Sequence, residues 1–315
     1  SDLVWTKNRD SSDAHTVLDS FRGGSARLET DDAGAEATVT NMINKFLAGG
    51  QQIGSYADMN RSGDSFVSWN WHANGGTSSA NTDGSGATIA STIQANDTAG
   101  FSMVTYTGTG SNGKVAHGLS AAPHWVVVKN RGESEGWTNY HIGMDSATKI
   151  MTWNNTNSQA DSAGDWNSTA PTSTIVNVGT NARTNKNTIN YIMYCWRPVK
   201  GYSKFGKYEG NNSASNGIFI HTGFKPSWLM VKSLDENYGW KIFDNKRSPT
   251  NPVDNSIDAD AKGTENTSTY IVDFCANGIK MRDSNSNTNA AVTYIYMAFA
   301  EHPFIGNGTN PATAY

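Results

Sequence analysis

Ala122-Pro123-His124-Trp125-Val126-Val127-Val128-Lys129-Asn130-Arg131 is a short apolar run closed by three polar residues. It has two relatives in the same chain: Lys225-Pro226-Ser227-Trp228-Leu229-Met230-Val231-Lys232 and Asp2-Leu3-Val4-Trp5-Thr6-Lys7-Asn8-Arg9. Each is followed by an aromatic strand: Phe66-Val67-Ser68-Trp69-Asn70-Trp71, Tyr191-Ile192-Met193-Tyr194-Cys195-Trp196 and Tyr294-Ile295-Tyr296-Met297-Ala298-Phe299. Lys7 to Trp71 is 64 positions, and Lys129 to Trp196 and Lys232 to Phe299 are 67 each. A spacing kept across unlike intervening sequence marks an internal repeat.

The later copies also share a front strand. Gly100-Phe101-Ser102-Met103-Val104-Thr105-Tyr106-Thr107-Gly108 resembles Gly201-Tyr202-Ser203-Lys204-Phe205-Gly206-Lys207-Tyr208-Glu209-Gly210. Tyr106 precedes Lys129 by 23 residues and Tyr208 precedes Lys232 by 24. The first copy starts six residues before its lysine, so the sequence predicts a first module whose front strand is missing. An upstream segment, another part of this chain or a neighbouring subunit would supply it, the tail 305–315 being one possible donor. A third shared segment pairs Gly136-Trp137-Thr138-Asn139-Tyr140-His141 with Gly239-Trp240-Lys241-Ile242-Phe243-Asp244, and has the period-two alternation of a half-buried strand.

Helical periodicity is scarce. Val39, Met42, Ile43, Phe46 and Leu47, followed by Gly49-Gly50, predict one helix over 37–47. The expected fold is all-β: three tandem antiparallel β-sandwich (jelly-roll-like) modules with long polar loops and little helix. They span 1–75, 98–200 and 201–304, with a Gly/Ser/Thr linker at 76–97 and a tail at 305–315.

Composition fits such a chain and excludes several functions. Of 315 residues only 17% are charged, while 10% are aromatic, including 10 Trp, which is not the make-up of a disordered chain. The net charge is −4 and no basic stripe exists, so no nucleic-acid partner is expected. No apolar run is long enough to insert into a membrane. Cys195 and Cys275 are two cysteines far apart in the repeat, expected to be unbonded free thiols.

Asp2-Leu3-Val4-Trp5-Thr6-Lys7-Asn8-Arg9, Asp19-Ser20-Phe21-Arg22-Gly23, Gly201-Tyr202-Ser203-Lys204-Phe205-Gly206 and Tyr294-Ile295-Tyr296-Met297-Ala298-Phe299-Ala300 resemble a repeat domain of unknown function. That family is widespread in virion proteins of marine bacteriophages, including cyanophages. The resemblance covers nearly the whole chain. Thr6 departs from the Ile usual in the motif, a small change at a strand position. The resemblance implies a tail-fibre or lectin-like virion protein and carries over no catalytic residue.

Direct signs of chemistry are few. None of the seven histidines falls in an HExxH or other ligand-spaced motif, and no P-loop or Gly-x-Ser-x-Gly pattern appears; Gly108-Thr109-Gly110 and Gly84-Ser85-Gly86 are only weak matches to glycine-rich fingerprints, in turn-rich sequence. His117 and His221 hold equivalent places before Gly-containing turns, where a ring nitrogen bonds backbone. No cofactor is implied. Asp254, Asp258 and Asp260 alternate with other residues as in a calcium loop, but the Gly and closing Glu of an EF-hand are missing. Trp153 and Trp166 flank a polar stretch unique to the second module. Exposed, their rings would stack on a sugar while Asn154, Asn155 and Asp165 bound its hydroxyls; buried, they would pin the loop to the sandwich.

The expected function is therefore a non-enzymatic structural protein on the surface of a bacteriophage particle. It would be a tail fibre or appendage component that attaches to a host-surface glycan. Its partners would be other virion proteins and copies of itself, a homotrimer if it is a fibre. A capsid-decorating or filament-forming protein without receptor binding is the alternative. A polysaccharide-degrading enzyme with two facing carboxylates is the third reading.

Overall fold

The structure, a computed structural model of the chain, describes residues 1–73, 79–80 and 85–302. Its regular secondary structure is almost entirely antiparallel strand. By packing density the chain divides into two compact units. One comprises Ser1–Asn155, Gln159–Arg197 and Asp260–Thr264; the other comprises Thr156–Ser158, Pro198–Ala259 and the chain from Glu265.

The first unit opens with β1 (Leu3–Asn8), β2 (Thr16–Asp19), β3 (Gly23–Leu28), β4 (Ala37–Thr38), the hairpin β5 (Ile43–Leu47) and β6 (Gly50–Ile53), the single turn α1 (Ala57–Asn60), and β7 (Phe66–Trp71). Five of these strands form a sheet in the order β4-β3-β2-β1-β7. Every residue of β1 is buried, as a strand covered on both faces requires. Val4 and Leu18 point to one face, where Met42, Ile43 and Met59 cover them.

The helix expected over 37–47 is instead β4, a turn and β5. Asn41 sits at φ 61°, a left-handed conformation that ends any right-handed helix there. A Cβ on Gly24 would lie 2.0 Å from the Ile43 carbonyl oxygen, and one on Gly54 would lie 2.1 Å from that of Asn41. The segment is thus held by close backbone contact with its neighbours. The apolar spacing read as helical is the buried side of an irregular ribbon.

The unit continues with β8 (Ser79–Ala80), β9 (Ser91–Asn96), β10 (Phe101–Thr107), β11 (Gly113–Ala116), β12 (Trp125–Asn130), β13 (Thr138–His141), β14 (Lys149–Thr152), β15 (Ala160–Asp161), the turn α2 (Ala163–Trp166), β16 (Ile175–Val178), the turn α3 (Ala182–Asn185) and β17 (Asn190–Trp196). Eight strands form one sheet, β15-β14-β13-β12-β17-β10-β9-β8, and β11 pairs with β16. The expected linker at 76–97 is therefore partly strand. β9 pairs with β10 from Asn96–Phe101 to Ser91–Tyr106, because Ile93 and Gln94 are buried there. Residues 76–78 and 81–84 of that linker, and the tail 305–315, lie outside the described residues.

The two sheets of this unit pack through one aromatic layer. Trp5 lies 4.9 Å from Trp153, Trp71 lies 5.8 Å from Trp196, and Trp125 stacks on Trp196 at 4.2 Å. Each such pair adds about 1 kcal/mol beyond area burial. A buried polar knot crosses the same layer. Arg22 and Asp19, both side chains fully buried, bond at 2.6 Å, and the Tyr194 hydroxyl donates to Asp19 at 2.6 Å. The first module is thus half of a two-sheet body whose other half is the second.

The second unit carries β18 (Ser203–Glu209), β19 (Phe219–His221), β20 (Pro226–Ser233), β21 (Lys241–Asp244), β22 (Val253–Asp258), β23 (Asn266–Cys275), β24 (Gly278–Met281) and β25 (Thr293–Ala300). They make one sheet, β18-β25-β20-β21-β22-β23-β24-β19, curled towards a barrel. Its two edges meet where Lys204 on β18 donates to the His221 carbonyl on β19 at 2.6 Å. Cys195 and Cys275 are free thiols.

Strand registers reproduce the repeat. Leu3 faces Trp71, Trp125 faces Trp196 and Trp228 faces Phe299; four residues on, Lys7, Lys129 and Lys232 face Val67, Ile192 and Ile295. All three lysines are buried, and each ammonium donates to the carbonyl of the next residue, at 2.6 Å to Asn8, 2.9 Å to Asn130 and 2.9 Å to Ser233. Each reaches a second carbonyl in the following turn, of Ser11, Glu135 and Glu236. Lys129 adds Ala33 and Lys232 adds Thr156. Burial pushes Lys129 down to about 8, which leaves it an ammonium at neutral pH. Replacing Lys129 with Met keeps the stem and strips three carbonyls of their donor. Guanidinium unfolding should show a loss of about 2 kcal/mol, the cost of leaving such groups unpaired; an unchanged midpoint would refute the role.

Candidate functional site

The residues expected to stack and bind a sugar do not form a surface. Trp153 follows β14, donates its backbone N–H to the Trp137 carbonyl, and lies in the aromatic layer 5.4 Å from Trp125 and 5.6 Å from Trp137. Trp166, on α2, packs edge-on against Tyr140 at 6.2 Å. Both rings are buried, so neither offers a face to a ligand. Asn154 uses its side-chain oxygen to accept the Trp137 N–H, and Asn155 is half-buried beside it. Asp165 is buried and paired with Arg183 at 2.7 Å, and Ser162 also donates to it. These residues fasten a long loop to the sheets. The physical reason is area: two indoles gain more from burial than a loop of Asn and Ser gains from exposing them.

The carboxylates of the weak calcium candidate are also otherwise engaged. Asp254 and Asp258 lie on β22, where Asp254 accepts from Ser248 and Asp258 is ion-paired with Lys241. Asp260 lies beyond the strand end. No group of three His, Cys, Asp or Glu suited to a metal exists among the described residues.

A groove that sequence reasoning passed over lies along β9 and β10. It encloses about 420 Å³ and is lined by Ser91, Thr92, Thr105, Thr107, Arg131 and Asn190, with Ala90 and Tyr106. Strand pairing puts these side by side: Thr105 is opposite both Thr92 and Ile192, and Thr107 is opposite Asn190. Thr105 and Thr107, two apart, share a face, as do Ile192 and Asn190. The Thr107 hydroxyl donates to the Asn190 carbonyl oxygen of the side chain at 2.9 Å. Arg131, just past β12, is held by both oxygens of Glu36 at 2.7 and 2.8 Å, and its own carbonyl accepts the Glu36 N–H. Its neighbouring guanidiniums, Arg131 and Arg22, hold the Glu36 carboxyl below the usual carboxylate range despite its burial. The Tyr106 hydroxyl turns away from the groove to the Thr184 carbonyl at 2.6 Å. The lining thus presents hydroxyls, an amide and a fixed cation, and contains no carboxylate, imidazole or thiol. Such a set can donate to and accept from a polyol; it holds no group able to shuttle a proton near neutral pH. The available signal in sequence was the Thr105, Thr107 alternation on the front strand.

A second motif was also missed. Asp19 accepts the N–H groups of Phe21 and Arg22, and Asp244 those of Lys246 and Arg247; each Asp then pairs with its Arg. His141 stands at that place in the second module and accepts the Gly143 N–H. The Asp and Arg three apart in two copies were legible as a pair.

His117 is buried, with Nδ1 accepting the Leu119 N–H at 3.2 Å, so Nε2 carries the proton given to the Thr172 carbonyl at 3.1 Å. His221, its counterpart, is exposed. Burial pushes His117 down to about 4. The unfolded chain therefore takes the proton first, and the stability His117 provides is complete above about pH 6.5 and lost as pH falls towards 4. Asp31, raised to about 6 by burial, protonates first in the folded chain and opposes this loss over the same window. Denaturant titrations should show that His117→Gln removes roughly 3 kcal/mol of acid sensitivity between pH 6.5 and 4. An identical pH profile for both proteins would refute the assignment.

No curated protein and no solved structure matches this sequence. A family model described as a domain of unknown function, DUF7483, matches residues 1–303. The chain with its repeated lysine turns and two sheet-built units therefore belongs to the DUF7483 family.

Proposed function

We propose that this chain is a non-enzymatic structural protein of a bacteriophage virion, a tail-fibre or surface-appendage component that attaches to a host-surface glycan through the groove on β9, β10 and β17. The resemblance of its repeat motifs to phage virion proteins supports the setting. The lining of the groove carries the binding reading: Thr92, Thr105, Thr107 and Asn190 offer donors and acceptors in the spacing of a strand surface, with Arg131 at one end, while the Ser91 hydroxyl is turned into the core. A volume of about 420 Å³ suits one or two sugar rings. Without a ring to stack on, a single site binds weakly, and affinity comes from several copies on one appendage. That favours a homo-oligomer assembled with other virion proteins, a trimer in a fibre.

The test is a glycan array probed with a multimerised form of the protein. Binding to a glycan class is expected, and a Thr105→Val, Asn190→Ala double variant should lose about tenfold or more, at roughly 1 kcal/mol for each hydrogen bond removed. Glycan binding that survives both substitutions, or no binding on the array, overturns the groove. Antibody labelling that fails to find the protein on purified particles overturns the virion assignment.

A further inference from the structure

The edge of β7 is the one place where the repeat leaves a strand position empty among the described residues. In the second module β17 lies between β12 and β10; in the third, β25 lies between β20 and β18. In the first, β7 pairs with β1 and ends the sheet. The Arg9 N–H bonds the Ser65 carbonyl, just as the Arg131 N–H bonds that of Asn190. Antiparallel alternation then points the N–H and C=O of Phe66, Ser68 and Asn70 away from β1, as those of Tyr191, Met193 and Cys195 point to β10. The Asn70 side chain donates to the Ser68 carbonyl at 3.2 Å, a partial stand-in for a strand.

Phe66 shows what is missing. Tyr191 and Tyr294 hold its position and are fully buried, stacked on Tyr106 at 5.1 Å and 13° and on Tyr208 at 5.0 Å and 10°. Phe66 is half-buried. β7 also has no Lys, Pro or bulge across its six residues, the usual devices that keep an edge from pairing.

We propose that β7 takes up an antiparallel strand from another polypeptide, in the register of β10 and β18, by strand addition. The occupant's chemistry follows from the two templates. It is a segment of about seven residues with an aromatic ring opposite Phe66. It carries polar residues opposite Ser68 and Asn70, which are exposed, and apolar ones opposite Trp69 and Trp71, which are buried. The folded β10 and β18 of a second copy do not qualify, since both edges of β10 are paired and the edge of β18 that pairs in this register is already bound along β25.

The probe is a synthetic peptide of the sequence Gly201–Gly210, whose Lys204, Lys207 and Glu209 keep it soluble. Added to the intact protein, it should slow hydrogen exchange at the Phe66, Ser68 and Asn70 amides at least tenfold while leaving Val67 and Trp69, already bonded to β1, unchanged. Ser68→Pro removes an N–H that β1 does not use, and proline is tolerated on such an edge, so this variant should fold and lose the protection. Phe66→Ala should weaken peptide binding about tenfold. Equal exchange at the three amides with and without peptide overturns the proposal. So does their protection in the protein alone within a dimer, which would mean that β7 pairs with itself.

Discussion

A lysine ammonium buried at the end of a central strand and bonded to backbone carbonyls is the constraint on which the repeat depends. Lys7, Lys129 and Lys232 each lie inside a sheet where an unpaired charge would not be tolerated. The carbonyls that receive them belong to the next residue and to the turn that follows. The residue after each lysine fixes the same turn from the other side: Asn8, Asn130 and Ser233 accept backbone N–H groups two and three positions on. Donor and acceptor needs of the turn are thus met by two adjacent side chains. This sets the direction in which the chain returns to pair as β2, β13 or β21.

Given that turn, the rest of each module follows from register. The residue four before the lysine faces the last aromatic of the closing strand, so the large rings fall on one face. In the first unit that face becomes the aromatic layer between two sheets. The buried Arg22, Asp19 and Tyr194 fix its alignment, because a charge pair in such a layer is stable only where all three partners meet. Along β10 the same face carries Phe101 and Met103 and then Thr105 and Thr107, and at the threonines the sheet surface opens into the polar groove. Core and groove are two outcomes of one alternation along β10.

The departures between modules are as informative as the likenesses. The second and third carry a front strand and a closing pair, β11 with β16 and β19 with β24. The first has β5 and β6 over part of its inner face, and β7 shows Ser68 and Asn70 to solvent where Met193 and Cys195 are buried. A polar inner face is consistent with a module that lacks the closing pair, while its unpaired backbone still has the geometry to accept a strand.

The repeat, the all-β class, the strand positions and the equivalence of the three lysines were legible in the sequence, because period-two alternation and fixed spacing are local properties that survive without knowledge of neighbours. Whether Trp153 and Trp166 are exposed or buried is left open by the sequence, since it depends on what packs over each ring: Trp5, from almost a hundred and fifty residues away, over Trp153, and the core beside Tyr140 over Trp166. The ribbon at 37–47 was misread for a related reason: its apolar residues satisfy a helical period, and only contact with the Gly24 and Gly54 backbones excludes the helix. The groove was hidden because its residues come from β9, β10, the end of β12 and the start of β17, which strand pairing alone brings together. Composition and spacing determined what each strand is; long-range pairing decided which face of it meets water.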